Sequence, residues 1–327
     1  ERLNVDVVHL HCPMISWATP QFHHCIQNIA PVVSSLHGSW LGERDGLLEA
    51  SMAKEAAVWA NVNDIAIRLS AEIYAKFESI AIRESSICVA NSRATKEDFD
   101  SRYNPPPNWD CEVIHWGVDT EMFRPLDIEK EEEKLNFTEI RKRFGAVSPG
   151  SKLILAVGRL AARKGYSTLI RGFSALNEEM PNTKLVIVGR GHLKRRLMRL
   201  AKSLGVEEDV RIESSLSFAE LAQLYRSSDL VVYPSFYEGQ GLIPLEAMAS
   251  GVPVVTVDHG PLPEMVDESV GALFTMGNIE SMVSVMREVL KTGREKGEQG
   301  RARVLQKFTY SGNAESFEKV YIEAIKR

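Results

Sequence analysis

The runs LILAV (153–157), LVIV (185–188), LVVY (230–233) and VVTV (254–257) carry almost no polar residues. A strand with one wet face alternates apolar and polar positions, so a continuous apolar run has to be covered on both sides. The stretches between these runs have helical spacing, near 165–179, 192–204, 217–227, 241–250 and 278–291. Strands are read at 153–157, 184–188, 210–212, 230–233 and 252–257, with a shorter one at 272–274. Strand and helix in strict alternation describe a parallel sheet sandwiched between helices.

The first third repeats the pattern, with strands at 5–11, 31–36, 86–90 and 112–115. Helices near 50–61 and 63–84 fall between the second and third, and Ser92 is placed to cap the helix that follows 86–90. NPPPNWD (104–110) is a loop, because proline supplies no backbone N–H. The EKEEEK run near 129–134 reads as a solvated helix face or linker. The division expected is 1–124 for a first domain, 125–150 for a linker and helix, 151–310 for a second domain, and 311–327 for a terminal helix packing back on the first. A chain of 327 residues favours two such domains facing a cleft.

Composition narrows the classes. A net charge of −5 argues against a general nucleic-acid binder, and no run approaches the length of a membrane span. Cys12, Cys25, Cys88 and Cys111 form no C-x-x-C pair, which fits a reduced, cytoplasmic setting and leaves peripheral membrane contact open. Asp98-Phe99-Asp100 reads as D-x-D, but on a helix positions i and i+2 point apart. His9, His11, Cys12, His23, His24 and Cys25 would meet as zinc ligands only if the chain doubles back. No metal site is assigned.

In open α/β sheets ligands bind beyond the carboxyl ends of strands. There, Gly158, Arg159 and Lys164 follow the first strand of the second domain, a flexible turn with two cations suited to a diphosphate. Gly189 and Gly191 follow the next strand, before a basic helix. Strand 230–233 runs into Glu238-Gly239-Gln240-Gly241, and Pro244 suits the first turn of the helix starting near Leu242. The unpaired N–H groups of that turn favour an anion, and Glu238 and Glu246 offer acceptors for hydroxyls at two levels. Hydroxyls at both ends and phosphate between describe a nucleotide sugar. No G-x-G-x-x-G is complete after any strand, since position 194 is Lys194, which argues against a dehydrogenase.

FYEGQGLIPLEAMASGVPVV (236–255) resembles the E-x7-E signature of retaining glycosyltransferases of family 4. VVSSLHGSW, ICVANS, VIHWGVDTEMFRP and AVGRLAARKGYSTLI agree in order and spacing, and GPLPEMV resembles the family's glycine-proline-glutamate turn. The resemblance covers nearly the whole chain and implies the GT-B fold of two Rossmann-like, doubly wound domains. It implies that Arg159 and Lys164 bind the donor diphosphate, Glu238 the sugar with backbone N–H groups from Gly239 to Gly241, and Glu246 the ribose. His37 corresponds to the active-site histidine. The implied reaction moves a hexosyl group from a nucleoside diphosphate sugar, UDP- or GDP-linked among others, to an acceptor hydroxyl with retention and without a metal. The acceptor, whether lipid, saccharide or small molecule, is not specified, and no cofactor is required.

Two departures stand inside the pattern. Gln240 replaces the usual aromatic or apolar residue, which alters the sugar pocket, and IESSLS (212–217) stands where an apolar-apolar-glycine turn near the base is usual. Family members also carry strand–helix units ahead of the strand at 5–11, about 80 residues at about 30 per unit. The expectation is that the active form includes that segment, in a longer chain or a second one. The competing readings are a GT-B nucleotide-sugar epimerase and a non-catalytic nucleotide-binding subunit.

Overall fold

A computed structural model describes residues 4–11, 25–26, 28–55, 61–214 and 216–327. Strands β1 (Val8–His11), β2 (Val32–Leu36), β3 (Ile87–Ala90) and β4 (Cys111–Val113) pair in parallel, in chain order. Helices α1 (Trp40–Met52), α2 (Val62–Glu84) and α3 (Arg93–Arg102) connect them. Ser92 caps α3 by accepting from the Thr95 N–H at 3.0 Å.

Helix α4 (Glu131–Arg143) buries no residue and leads to the second sheet. Its strands are β5 (Lys152–Val157), β6 (Thr183–Val188), β7 (Val210–Glu213), β8 (Leu230–Tyr233), β9 (Val254–Val257) and β10 (Gly271–Phe274). Helices α5 (Tyr166–Glu179), α6 (Lys194–Ser203), α7 (Phe218–Arg226), α8 (Leu242–Ala249) and α9 (Leu262–Met265) lie between them, and α10 (Ile279–Lys307) and α11 (Tyr310–Lys326) follow. The order β10-β9-β8-β5-β6-β7 is parallel throughout. The chain starts in the middle at β5, winds outward to β7, then returns to β8 on β5's other side. The crevice between the carboxyl ends of β5 and β8 is therefore the topological switch point, where such sheets bind ligands.

The apolar runs form the core as their pattern demands. Ile154, Leu155, Val186, Val231, Val232 and Val255 are fully buried. Each such side chain stabilises the fold by about 1.5–3 kcal/mol relative to exposure. In the first domain, Val33, Ile87, Val89 and Ile114 cluster with Val320 and Ala324 of α11, so the chain's last helix covers one face of the first sheet. The chain crosses between domains twice, side by side: Val118 bridges Thr309, and its N–H donates to the Phe308 carbonyl at 2.9 Å.

Two helices differ from the sequence expectation. A helix was expected near 50–61; α1 instead begins at Trp40, where Ser39 accepts from the Gly42 N–H at 2.9 Å, and 56–60 lie outside the described residues. Gly42 and Gly46 lie inside α1, where a Cβ on either would come within 2.5 Å of the Tyr237 side chain. Helix α10 runs past the expected end at 291 to Lys307. Its extension carries Gly293, Gly297 and Gly300, and a Cβ at 297 would fall 2.1 Å from the Gly251 carbonyl oxygen. This polar, glycine-rich stretch is a helix surface built for close approach.

Candidate functional site

At the switch point the loop after β5 holds Arg159, Arg163 and Lys164, and the loop after β8 holds Ser235, Tyr237 and Glu238. Lys164 and Glu238 form a buried ion pair with side chains 9% and 13% exposed. The Glu238 carboxylate also accepts from the Tyr233 and Ser235 hydroxyls, both at 2.6 Å. Burial alone would raise its pKa, but Lys164, Arg163 and the Ser235 hydroxyl outweigh it and hold the carboxyl below its usual range. Burial also pulls the Lys164 ammonium down, opposed by Glu238. Arg163 is buried beside them and pairs with Glu43 of the first domain at 2.9 Å. Arg159, five residues before Lys164, is exposed.

Gly158, Gly189 and Gly191 belong to one tight junction. A Cβ at Gly189 would lie 1.9 Å from the Gly158 carbonyl oxygen, and one at Gly191 2.4 Å from that of Leu160. These glycines bring the ends of β5 and β6 together. Helix α8 starts at Leu242 after Gly241, whose φ of +101° excludes most side chains. Among the described residues no side chain caps α8, and its first turn carries no acid, so its leading N–H groups and the positive end of its dipole are left uncompensated. Glu246, one turn in, accepts from the Tyr225 hydroxyl at 2.7 Å. Burial pushes its carboxyl up to about 7, with Tyr225 opposing.

Across the cleft, His37 follows β2. Its Nε2 lies 3.2 Å from His11 Nδ1, and its ring packs 4.7 Å from that of Trp116. Burial and the neighbouring His11 lower its pKa to about 4, so it is neutral at pH 7. His37, Glu43, Arg163, Glu238 and Gly239 line a cavity of about 400 Å³. Gly239 touches the first domain directly: a Cβ there would sit 2.0 Å from the His37 carbonyl oxygen. Glu238, Gly239 and His37 therefore line one cavity with Lys164 paired to Glu238, while Arg159 is exposed on the loop after β5 and Glu246 faces Tyr225.

The Gln240 side chain, expected to alter a sugar pocket, bonds the backbone of Trp116. It is 1% exposed and reaches across the cleft, accepting from the Trp116 N–H at 2.7 Å and donating to the Trp116 carbonyl at 3.1 Å. An amide satisfies both backbone groups of one residue, which an apolar side chain cannot do. Within the D-x-D, Asp98 pairs with Arg102 at 2.6 Å and Asp100 accepts from Trp109 at 3.1 Å, on different faces of α3. Of the N-terminal His/Cys group, Cys12, His23 and His24 lie outside the described residues. His9 is held by Tyr321 and Ser35, each at 2.7 Å.

A family model described as Glycosyl transferases group 1 matches residues 137–303, and one described as Glycosyltransferase Family 4 matches residues 1–122. The chain belongs to the group 1 glycosyltransferases. An uncharacterized glycosyltransferase of Methanocaldococcus jannaschii is 33% identical over 270 residues, which are 82% of this chain and 62% of that one. The chain thus spans about three fifths of that relative's length. Sucrose-phosphate synthase from Thermosynechococcus elongatus shares the fold with a TM-score of 0.75 at 19% identity, over 98% of this chain and 74% of that one. The HepE protein of Anabaena, solved with UDP and glucose, gives 0.74 at 19% identity, over 97% and 78%. The architecture is that of GT-B glycosyltransferases, two Rossmann-like domains about a cleft. No helix among the described residues is long and apolar enough to cross a membrane.

In this member of the group 1 family the sequence pattern did not reveal the residues that join the domains. Glu55 of the first domain caps α5 of the second, accepting from the Ser167 and Thr168 N–H groups at 2.9 and 2.6 Å. Glu264 of the second caps α3 of the first, accepting from Arg93 and Ala94 N–H at 3.0 and 2.9 Å, and meets His115 at 2.9 Å. Capping by residues this distant leaves no local signal. Gly42 and Gly46 did carry one, a four-residue spacing that marks one helix face for close contact.

Proposed function

We propose that the protein transfers a hexosyl group from a nucleoside diphosphate sugar to an acceptor hydroxyl, with retention at the anomeric carbon and without a metal. The observation that carries this reading is the buried Lys164–Glu238 pair at the switch point, opposite His37 and beside the uncapped start of α8. A buried ion pair of this kind adds little net stability over apolar packing, so a ligand-binding role accounts for it better. On donor entry Lys164 exchanges its carboxylate partner for phosphate, and Glu238 is released to accept from sugar hydroxyls. Arg159, exposed on the same loop, and the N–H groups of α8 complete the anion site. They oppose the charge that grows on the leaving diphosphate.

The acceptor oxygen bonds to the anomeric carbon on the face the diphosphate leaves, and its proton passes to the departing phosphate oxygen. Glu246 accepts from the Tyr225 hydroxyl; on this reading its carboxylate serves the ribose rather than attacking the sugar, and no glutamate nucleophile is assigned. The test is a mass-spectrometric assay of donor turnover with a panel of acceptors, followed by NMR of the product's anomeric coupling. An α-linked donor yielding an α-linked product supports the proposal. Inversion, or donor epimerised with no transferred product, contradicts it.

A further inference from the structure

The end of β3 carries a buried side chain that the proposed reaction has not used. Asn91 is 2% exposed, and neither its Nδ2 nor its Oδ1 has a hydrogen-bond partner among the described residues. Leaving buried polar atoms unpaired costs about 1–3 kcal/mol for each group, and native proteins keep very few of them. A leucine of similar size would fill the place without that cost.

The position of the amide shows what it serves. A Cβ on Gly239 would lie 2.9 Å from Asn91 Nδ2, so the amide packs on the loop that presents Glu238. The next strand over ends in His37, whose Nδ1 is likewise buried without a partner. Neighbours of Asn91 in sequence hold the same loop: the Ser92 and Thr95 hydroxyls donate to the Gly239 carbonyl at 2.6 and 2.9 Å. Two side chains with unpaired polar atoms thus stand at the ends of adjacent strands, the Asn91 amide against Gly239 and His37 with its backbone carbonyl there.

We infer that Asn91 is a substrate-binding residue that holds two neighbouring hydroxyls of the transferred sugar, the amide donating to one and accepting from the other. An amide offers one donor and one acceptor side by side, which matches a vicinal diol. When Gly239 lifts from the ends of β2 and β3, the amide and His37 Nδ1 face the sugar ring whose other side meets Glu238. This inference rests on the donor reading above and adds the first domain's share of sugar recognition.

The experiment compares wild type, Asn91→Leu and Asn91→Asp in the full chain. Melting temperature is measured without ligand. Calorimetric titration then gives affinity for UDP and UDP-glucose, GDP and GDP-mannose, and ADP and ADP-glucose. The expected result is that Asn91→Leu melts at or above the wild-type temperature and binds the free nucleotide normally. It binds the nucleotide sugar about tenfold more weakly, and Asn91→Asp shows the same selective loss. Equal preference for sugar over free nucleotide in wild type and both variants overturns the inference alone. A fall in ligand-free melting temperature, or failure of Asn91→Leu to fold, makes the amide structural and also overturns it. A wild-type protein that binds none of the nucleotides overturns both this inference and the function it rests on.

Discussion

Replacing Lys164 by methionine keeps the volume of the stem and removes the charge that Glu238 faces. The carboxylate then stays buried, 13% exposed, with only the two hydroxyl donors at 2.6 Å and the more distant Arg163 to satisfy it. Breaking a buried pair by removing one partner costs about 3–5 kcal/mol. The retained hydroxyl bonds place this case at the low end, about 3 kcal/mol, or a fall of about 6–12 °C in the melting of a domain this size. The sign with pH follows from the direction of the shift. In wild type the Glu238 pKa is held below its unfolded value, so its contribution is present above the ordinary glutamate range and is lost as pH falls through the lowered folded value. In Lys164→Met, burial raises that pKa, so the deficit is greatest near neutrality and shrinks in acid. Adding Glu238→Gln removes the uncompensated charge and brings the double variant to within about 1 kcal/mol of wild type. Urea denaturation of wild type, Lys164→Met, Glu238→Gln and the double variant from pH 4 to 8 reads all of this. A deficit below about 1 kcal/mol, or one unchanged by pH and by Glu238→Gln, refutes the reasoning.

Arg159→Ala changes stability by less than about 0.5 kcal/mol, since the side chain is exposed, but lowers transfer rate about 10²–10³-fold by removing a charge beside the leaving group; steady-state kinetics and a melting curve check the two halves. Glu246 has a folded pKa raised to about 7, so the folded state holds its proton longer and stability falls as pH rises from the unfolded value toward 7. Glu246→Gln removes that fall, gaining at most about 3 kcal/mol at pH 8 relative to pH 4, measured by denaturation at both pH values. Gly239→Ala places a methyl 2.0 Å from the His37 carbonyl and 2.9 Å from Asn91 Nδ2; it costs about 1–3 kcal/mol as overpacking and abolishes measurable transfer.

The alternation of fully apolar strands with helices was enough to read two parallel α/β domains, because burial on both faces leaves a pattern in every strand. Ser92 as a cap was legible for the same local reason. What escaped lies where one domain answers the other. Glu55 and Glu264 cap helices more than a hundred residues away, Gln240 pairs with the backbone of Trp116, and the glycines of α1 and α10 exist for neighbours that no local window contains. The strand-end cations illustrate the limit at the site itself. Arg159 and Lys164 look alike in sequence, yet one is exposed and the other is buried on Glu238, and the buried Arg163 between them drew no attention.

The central claim is that the crevice between β5 and β8 binds a nucleoside diphosphate sugar through Glu238 and Lys164. Calorimetric titration of wild type and Glu238→Ala with UDP-, GDP- and ADP-sugars tests it most directly. Saturable 1:1 binding of at least one donor to the wild type, weakened about tenfold or more in Glu238→Ala, is the expected result. Absence of binding by any donor at millimolar concentration, or equal binding by the two proteins, contradicts it.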